Sequence, residues 1–108
     1  MNDDATRIKH ILDCVKRIQE WTVNGREAFL EDEMMQSAVV HELEVIGEAT
    51  KALTRDYRDA HPQIPWKGMA GLRDILIHEY DIIDVDEVWH VVERDVLTLK
   101  RGLSPKAP

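Results

Sequence analysis

The chain has 108 residues, one cysteine, 44% hydrophobic residues and a formal charge of −7. A chain of this length makes one domain with a modest core, burying roughly 65% of its unfolded surface. No apolar run approaches the roughly 20 residues that cross a bilayer, and the acidic balance argues against a general nucleic-acid binder, so any RNA contact needs a local positive patch.

Asp3 or Asp4 caps a first helix with Ile8, Ile11, Leu12, Val15, Ile18 and Trp21 on one stripe, since spacings of three and four residues fall on one helical face. Asp3–Arg7 and Asp13–Arg17 are favourable i,i+4 pairs on its wet side, and Asn24-Gly25 stops it. Cys14 shares the apolar stripe and reads as a small core residue rather than a reactive thiol; as the single cysteine it cannot form an internal disulfide. Residues 26–31 make one helical turn around Phe29 and Leu30. The next pattern predicts a long helix from Asp32 to Tyr57, carrying Met35, Val39, Leu43, Ile46, Ala49 and Leu53, with Ala38 and Val45 widening the stripe. Gly47 within it costs about 1 kcal/mol relative to alanine, which predicts the close approach of another backbone.

Two prolines within His61-Pro62-Gln63-Ile64-Pro65-Trp66 make that stretch a loop, and Trp66 reads as an anchor for the helix that follows, Lys67 to His78. Asp84 caps a last helix with Val85, Val88, Trp89, Val92, Val96 and Leu99 on one face. Their helical spacing outweighs the β-preference of valine. Gly102 ends this helix, leaving 104–108 as a flexible tail after one domain over 1–103. Helices joined by short connections imply an all-α antiparallel bundle of four to five helices. Surplus apolar stripes point to a homodimer, and the polar N-terminus to a cytoplasmic protein.

The densest chemistry lies in Arg73-Asp74-Ile75-Leu76-Ile77-His78-Glu79-Tyr80. A guanidinium holds a phosphate with a planar fork of donors, and an imidazole moves a proton near neutral pH. Together they suffice to cleave RNA without a metal, because the attacking 2′-hydroxyl belongs to the substrate. Five steps at 100° place Arg73 and His78 about 140° apart on a continuous helix, whereas Tyr80 falls within about 20° of Arg73. Either the helix ends near His78, or a second subunit supplies half of the site. Other chemistry fits poorly. His41-Glu42-Leu43-Glu44-Val45 lacks the second histidine of a zinc-protease helix, and Gly68 and Gly71 do not make a phosphate loop. His10, His41, His61 and His90 are scattered, with no cysteine pair for a zinc site. No metal or cofactor is expected.

The pattern Arg73-x-x-x-x-His78-x-Tyr80 resembles the signature of the HepT-like toxins, a branch of the HEPN ribonuclease superfamily. Ile8-Lys9-His10-Ile11-Leu12, Leu43-Glu44-Val45-Ile46-Gly47-Glu48-Ala49, the His61–Trp66 loop and Met69-Ala70-Gly71-Leu72-Arg73-Asp74 also resemble HepT segments, so the likeness runs from about Arg7 to about Leu99. It implies a HEPN-like bundle dimerising through helix faces, with an RNA-cleaving cleft where the two motifs meet. Arg73 and His78 would be catalytic. By its position alone Asp74 is a candidate to orient His78 or pair with Arg73, against the plainer role of a solvated surface carboxylate. The likeness further implies a nucleotidyltransferase antitoxin that silences the toxin by attaching AMP to Tyr80. Lys51, Arg55, Arg58 and Lys67 are candidates for the local basic strip, against the plainer role of surface solubilisers. The alternative is a non-catalytic helical module that partners a nucleotidyltransferase and holds a nucleotide.

Overall fold

The structure, a computed structural model, describes residues 3–72 and 82–103. Helix α1 (Asp4–Trp21) turns Ile11, Cys14, Val15 and Ile18 into the core, with Ile8 and Leu12 half-buried beside them. The stripe stops short of Trp21, which is exposed. Arg7 pairs with Asp3 as the spacing predicts. Arg17 does not take Asp13. It reaches across to the buried Glu42 and also touches the Cys14 thiol, because a buried carboxylate gains more from a cation than a solvated one does.

Short helix α2 (Arg26–Leu30) seats Phe29 in the core. Helix α3 (Glu33–Ala52) starts where Asp32 accepts a bond from the Met35 amide. The buried Gln36 amide then donates to the Phe29 and Leu30 carbonyls, closing the end of α2. Val39, Val40, Leu43 and Ile46 face the core. Asp4 meets Thr54 beyond one end of α3 and Arg17 meets Glu42 nearer the other, so α1 and α3 run antiparallel.

The long helix expected to reach Tyr57 instead breaks after Ala52. Leu53 is extended (φ −66°, ψ 147°), and Thr54 caps a new helix, α4 (Arg55–Asp59), by accepting from the Tyr57 amide. The buried Asp4 carboxylate takes both the Thr54 amide (2.9 Å) and its hydroxyl (2.6 Å). A tertiary acceptor thus stabilises the break that local propensity would not make. The proline loop holds as expected, and α5 (Trp66–Ala70) begins one residue early and ends at Gly71. Leu72 is helical again; the remainder of the expected Lys67–His78 helix lies outside the described residues.

At Gly47 the expected close approach is present. A Cβ there would lie 3.1 Å from the Met69 carbonyl oxygen and 3.7 Å from that of Ala70, so α3 and α5 meet backbone to backbone. Asp84 caps α6 (Val85–His90), accepting from the Glu87 amide. A π-helical turn, Val91–Asp95, separates α6 from α7 (Val96–Leu103). The wider turn re-phases the apolar stripe, and Val88, Val91, Val92, Val96, Leu99 and Leu103 are all buried. Trp89 packs on Phe29, ring centres 5.5 Å apart. Gly102 does not end the helix, which continues through Leu103. A Cβ at 102 would come within 2.8 Å of Ile64 Cδ1, so this glycine makes room for the proline loop. The residues of the expected tail lie outside the described ones. All regular elements among the described residues are helical, around one core, which makes the fold all-α. The broken second helix and the interrupted last one account for more segments than the expected four to five. None of the described helices is long and apolar enough to cross a membrane.

Candidate functional site

Arg73, Asp74, His78 and Tyr80 lie outside the described residues, so the structure bears on the motif through its frame. On the N-terminal side, Met69 and Leu72 are both 2% exposed, and the former presses its carbonyl against Gly47. Arg73 is the next residue, one Cα step of about 3.8 Å beyond this buried anchor. On the C-terminal side, the Asp84 cap fixes where the last helical rod begins.

The lead into the motif is held by an aromatic cluster. Trp66 donates its indole N–H to the carbonyls of Arg58 and His61, both at 3.0 Å, so it is the anchor that the sequence suggested. Tyr57 stacks on His61 with ring centres 4.2 Å apart and meets Trp66 edge-on at 6.2 Å. His61 Nδ1 lies 2.9 Å from the Tyr57 carbonyl. Burial, reinforced by the Asp4 carboxylate, pushes the Tyr57 phenol above its usual value. These contacts tie α4, the proline loop and α5 into one unit.

That unit carries an open groove lined by Arg55, Arg58, Asp59, Pro62, Trp66, Lys67 and Ala70. Three of the four cations that the sequence offered as a basic strip therefore share one surface. The fourth, Lys51, bonds Glu48 at 3.3 Å and lines a separate hollow with Glu44, Gly47, Ala70 and Leu72. Arg55, Arg58 and Lys67 pair with no carboxylate among the described residues, and Arg58 Nε is buried without an acceptor. The Asp4–Thr54 staple that sets α4 at this angle was missed in the sequence. Its signal was there, a threonine with Asp56 in the following turn, which is a helix start.

Cys14 is buried, and desolvation raises its thiol pKa, with Glu42 adding to the effect. It is a core residue, as its place on the stripe implied.

A family model described as Ribonuclease HepT-like matches residues 11–105. The chain belongs to the HepT-like ribonuclease family. It is 42% identical over 94 residues to a Thermococcus cleftensis protein named "Probable ribonuclease HepT", covering 86% of each chain. A Methanocaldococcus jannaschii protein named as a "Putative RNase" is 39% identical over 92 residues, 84% of each chain. A second protein of that organism, named "Gamma-glutamylcyclotransferase and putative RNase", is 39% identical over 97 residues, 89% of this chain. This HepT-like chain spans only 44% of that longer relative. No solved structure matches the chain.

Proposed function

We propose that this chain is an endoribonuclease that cleaves RNA without a metal ion. The observation carrying this reading is membership of the HepT-like ribonuclease family over residues 11–105, with Arg73, His78 and Tyr80 intact at the signature spacing. In the proposed reaction His78, or its copy in a second subunit, takes the proton of the substrate 2′-hydroxyl or delivers one to the leaving 5′-oxygen. The 2′-oxygen–phosphorus bond forms as the phosphorus–5′-oxygen bond breaks, giving a 2′,3′-cyclic phosphate and a 5′-hydroxyl. Arg73 grips the non-bridging oxygens, where negative charge builds in the transition state. Asp74 orients the imidazole or pairs with Arg73. The test is RNA incubated with purified protein in excess chelator. Cleavage should persist there and be lost in Arg73→Ala and in His78→Ala; cleavage that stops in chelator, or survives in both variants, removes the mechanism.

The site is proposed to form between two copies of the chain, which answers the angular mismatch of Arg73 and His78 on one helix. Mixing the two inactive variants tests this. A heterodimer restores one intact arginine–histidine pair only when those groups come from different chains; no recovery on mixing assigns each pair to a single chain.

Tyr80 is proposed as the site where a partner nucleotidyltransferase attaches AMP. Added phosphate charge and bulk seven residues after Arg73 would occupy the guanidinium and exclude RNA. Co-expression with a transferase encoded beside this chain should add adenylate-sized mass, and that increment should be absent from Tyr80→Phe. On this reading the protein is the toxin of a toxin–antitoxin pair. The charge of −7 favours a second reading, a non-catalytic module that holds a nucleotide for the transferase. RNA cleavage by the partner-free protein separates the two.

A further inference from the structure

We propose that the groove between α4 and α5 binds the RNA backbone beside the scissile linkage, with Arg55, Arg58 and Lys67 as its phosphate contacts. The proposal rests on the nuclease reading for the identity of the ligand, and on the groove for its place.

Charge distribution is the first support. In a chain of net −7, Arg7, Arg17, Arg26, Lys51 and Arg94 each lie against a carboxylate. Lys9, Lys16, Lys100 and Arg101 also meet no carboxylate among the described residues, but Arg55, Arg58 and Lys67 line one groove. Among the described residues, Asp59 is the one carboxylate that lines it, and it pairs with none of the three. An anionic ligand has three cations to neutralise and one like charge to avoid.

Arg58 supplies the second support. Its Nε is buried with no acceptor among the described residues, and leaving such a donor unmade is unfavourable, more so for a charged group. The Nε itself is closed to solvent, so a ligand phosphate would meet the outer Nη nitrogens of the guanidinium fork. The backbone on both sides is fixed, by the Thr54 cap below α4 and the Trp66 indole bonds across the loop. The backbone that carries the donors is therefore set before a ligand arrives, while the exposed Arg55 and Lys67 side chains are free to swing onto it.

Position is the third. Ala70 lines the groove and precedes Arg73 by three residues, so no more than about 11 Å of chain separates them. Successive phosphates of one strand could bridge that distance. Trp66 in the same wall offers partly exposed aromatic surface, which suits an unpaired strand better than a rigid duplex.

The experiment is fluorescence anisotropy of a labelled single-stranded RNA across a salt series. It uses full-length His78→Ala so that the probe is not cut, with and without Arg55→Gln, Arg58→Gln and Lys67→Gln together. Three lost contacts should flatten the slope of log K against log salt by about 2, since each contributes about 0.7 on a single strand. Lys16→Gln, Lys100→Gln and Arg101→Gln together change net charge equally and should flatten it by less than half as much. A groove variant whose slope matches its parent overturns the proposal. So does absence of RNA binding in the parent, or a polyglutamate probe that binds as tightly as RNA, which would mark an acidic protein as the occupant. Circular dichroism checks the fold, and Arg55→Gln and Lys67→Gln singly, each expected to flatten the slope by about 0.7, stand in if the triple variant unfolds. RNA binding that depends on the groove without cleavage by the unaltered chain would sink the nuclease reading alone. With His78 restored, cleavage at an unchanged KM by the chain carrying the three groove substitutions would sink the groove alone.

Discussion

Gly47→Ala tests the contact that seats the motif-bearing segment. Two effects oppose each other at this position. Alanine is the better helix former by about 1 kcal/mol. Its Cβ, however, would sit 3.1 Å from the Met69 carbonyl oxygen, a distance that forces α3 and α5 apart by a few tenths of an ångström. The obstructing atom is backbone within a helix, so it cannot swing aside as a side-chain tip does, and overpacking of this kind costs about 1–3 kcal/mol. The balance is a net loss of about 1 kcal/mol. Gly68 is the internal control: it lies inside α5, and a Cβ there meets nothing within 4 Å. Gly68→Ala should therefore gain up to about 1 kcal/mol, placing the two variants about 2 kcal/mol apart. Urea denaturation followed by circular dichroism reads both. If Gly47→Ala proves as stabilising as Gly68→Ala, the two helices do not approach as described and the Met69 anchor against α3 is wrong.

Asp4→Ala removes the acceptor for the Thr54 amide and hydroxyl and should destabilise the fold by about 1–3 kcal/mol. It should also lower the Tyr57 pKa partway, since burial is the larger cause of its rise; ultraviolet titration of the phenol checks this, and an unchanged value would separate Asp4 from Tyr57. The Cys14 and Tyr57 pKa values are both raised in the folded chain. Their neutral forms therefore favour folding below the ordinary values of 9.0 and 10.0, and that stability is lost as pH climbs through the raised ones. Denaturant midpoints should fall across that alkaline window, and Cys14 should react with a disulfide reagent only as fast as the chain opens. Rapid labelling of native protein at pH 8 would contradict its burial.

Much of the scaffold was legible because it is written locally. The Ile11–Val15–Ile18 stripe, the Asp84 cap and the proline loop all follow from spacing or from one side chain near its own backbone. Gly47 was legible for a different reason: a costly residue in a good helix implies a tertiary use. What escaped was decided over long separations. Thr54 breaks the second long helix with help from Asp4, fifty positions earlier, and Arg17 abandons a neighbour for Glu42. The π turn at Val91–Asp95 leaves no mark that helical spacing alone would reveal. Gly102 looked like a stop because glycine usually is one, yet Ile64 needs the space. In the site, Arg55, Arg58 and Lys67 were visible only as charges; their shared groove depends on the broken helix. The Arg73, His78 and Tyr80 pattern was the strongest signal in the sequence, and its standing rests on the family likeness and the chemistry of those side chains.

The chemistry of the cut ends distinguishes attack by the substrate's own 2′-hydroxyl from every other route of cleavage. RNA cleaved in chelator should be analysed by mass spectrometry, alongside the same RNA carrying a 2′-deoxynucleotide at the cleaved position. Attack by the substrate's own hydroxyl predicts a 2′,3′-cyclic phosphate or its hydrolysed form opposite a 5′-hydroxyl, and no cutting at the deoxy position. Products ending in 3′-hydroxyl and 5′-phosphate, or unimpaired cutting of the deoxy substrate, would contradict the account.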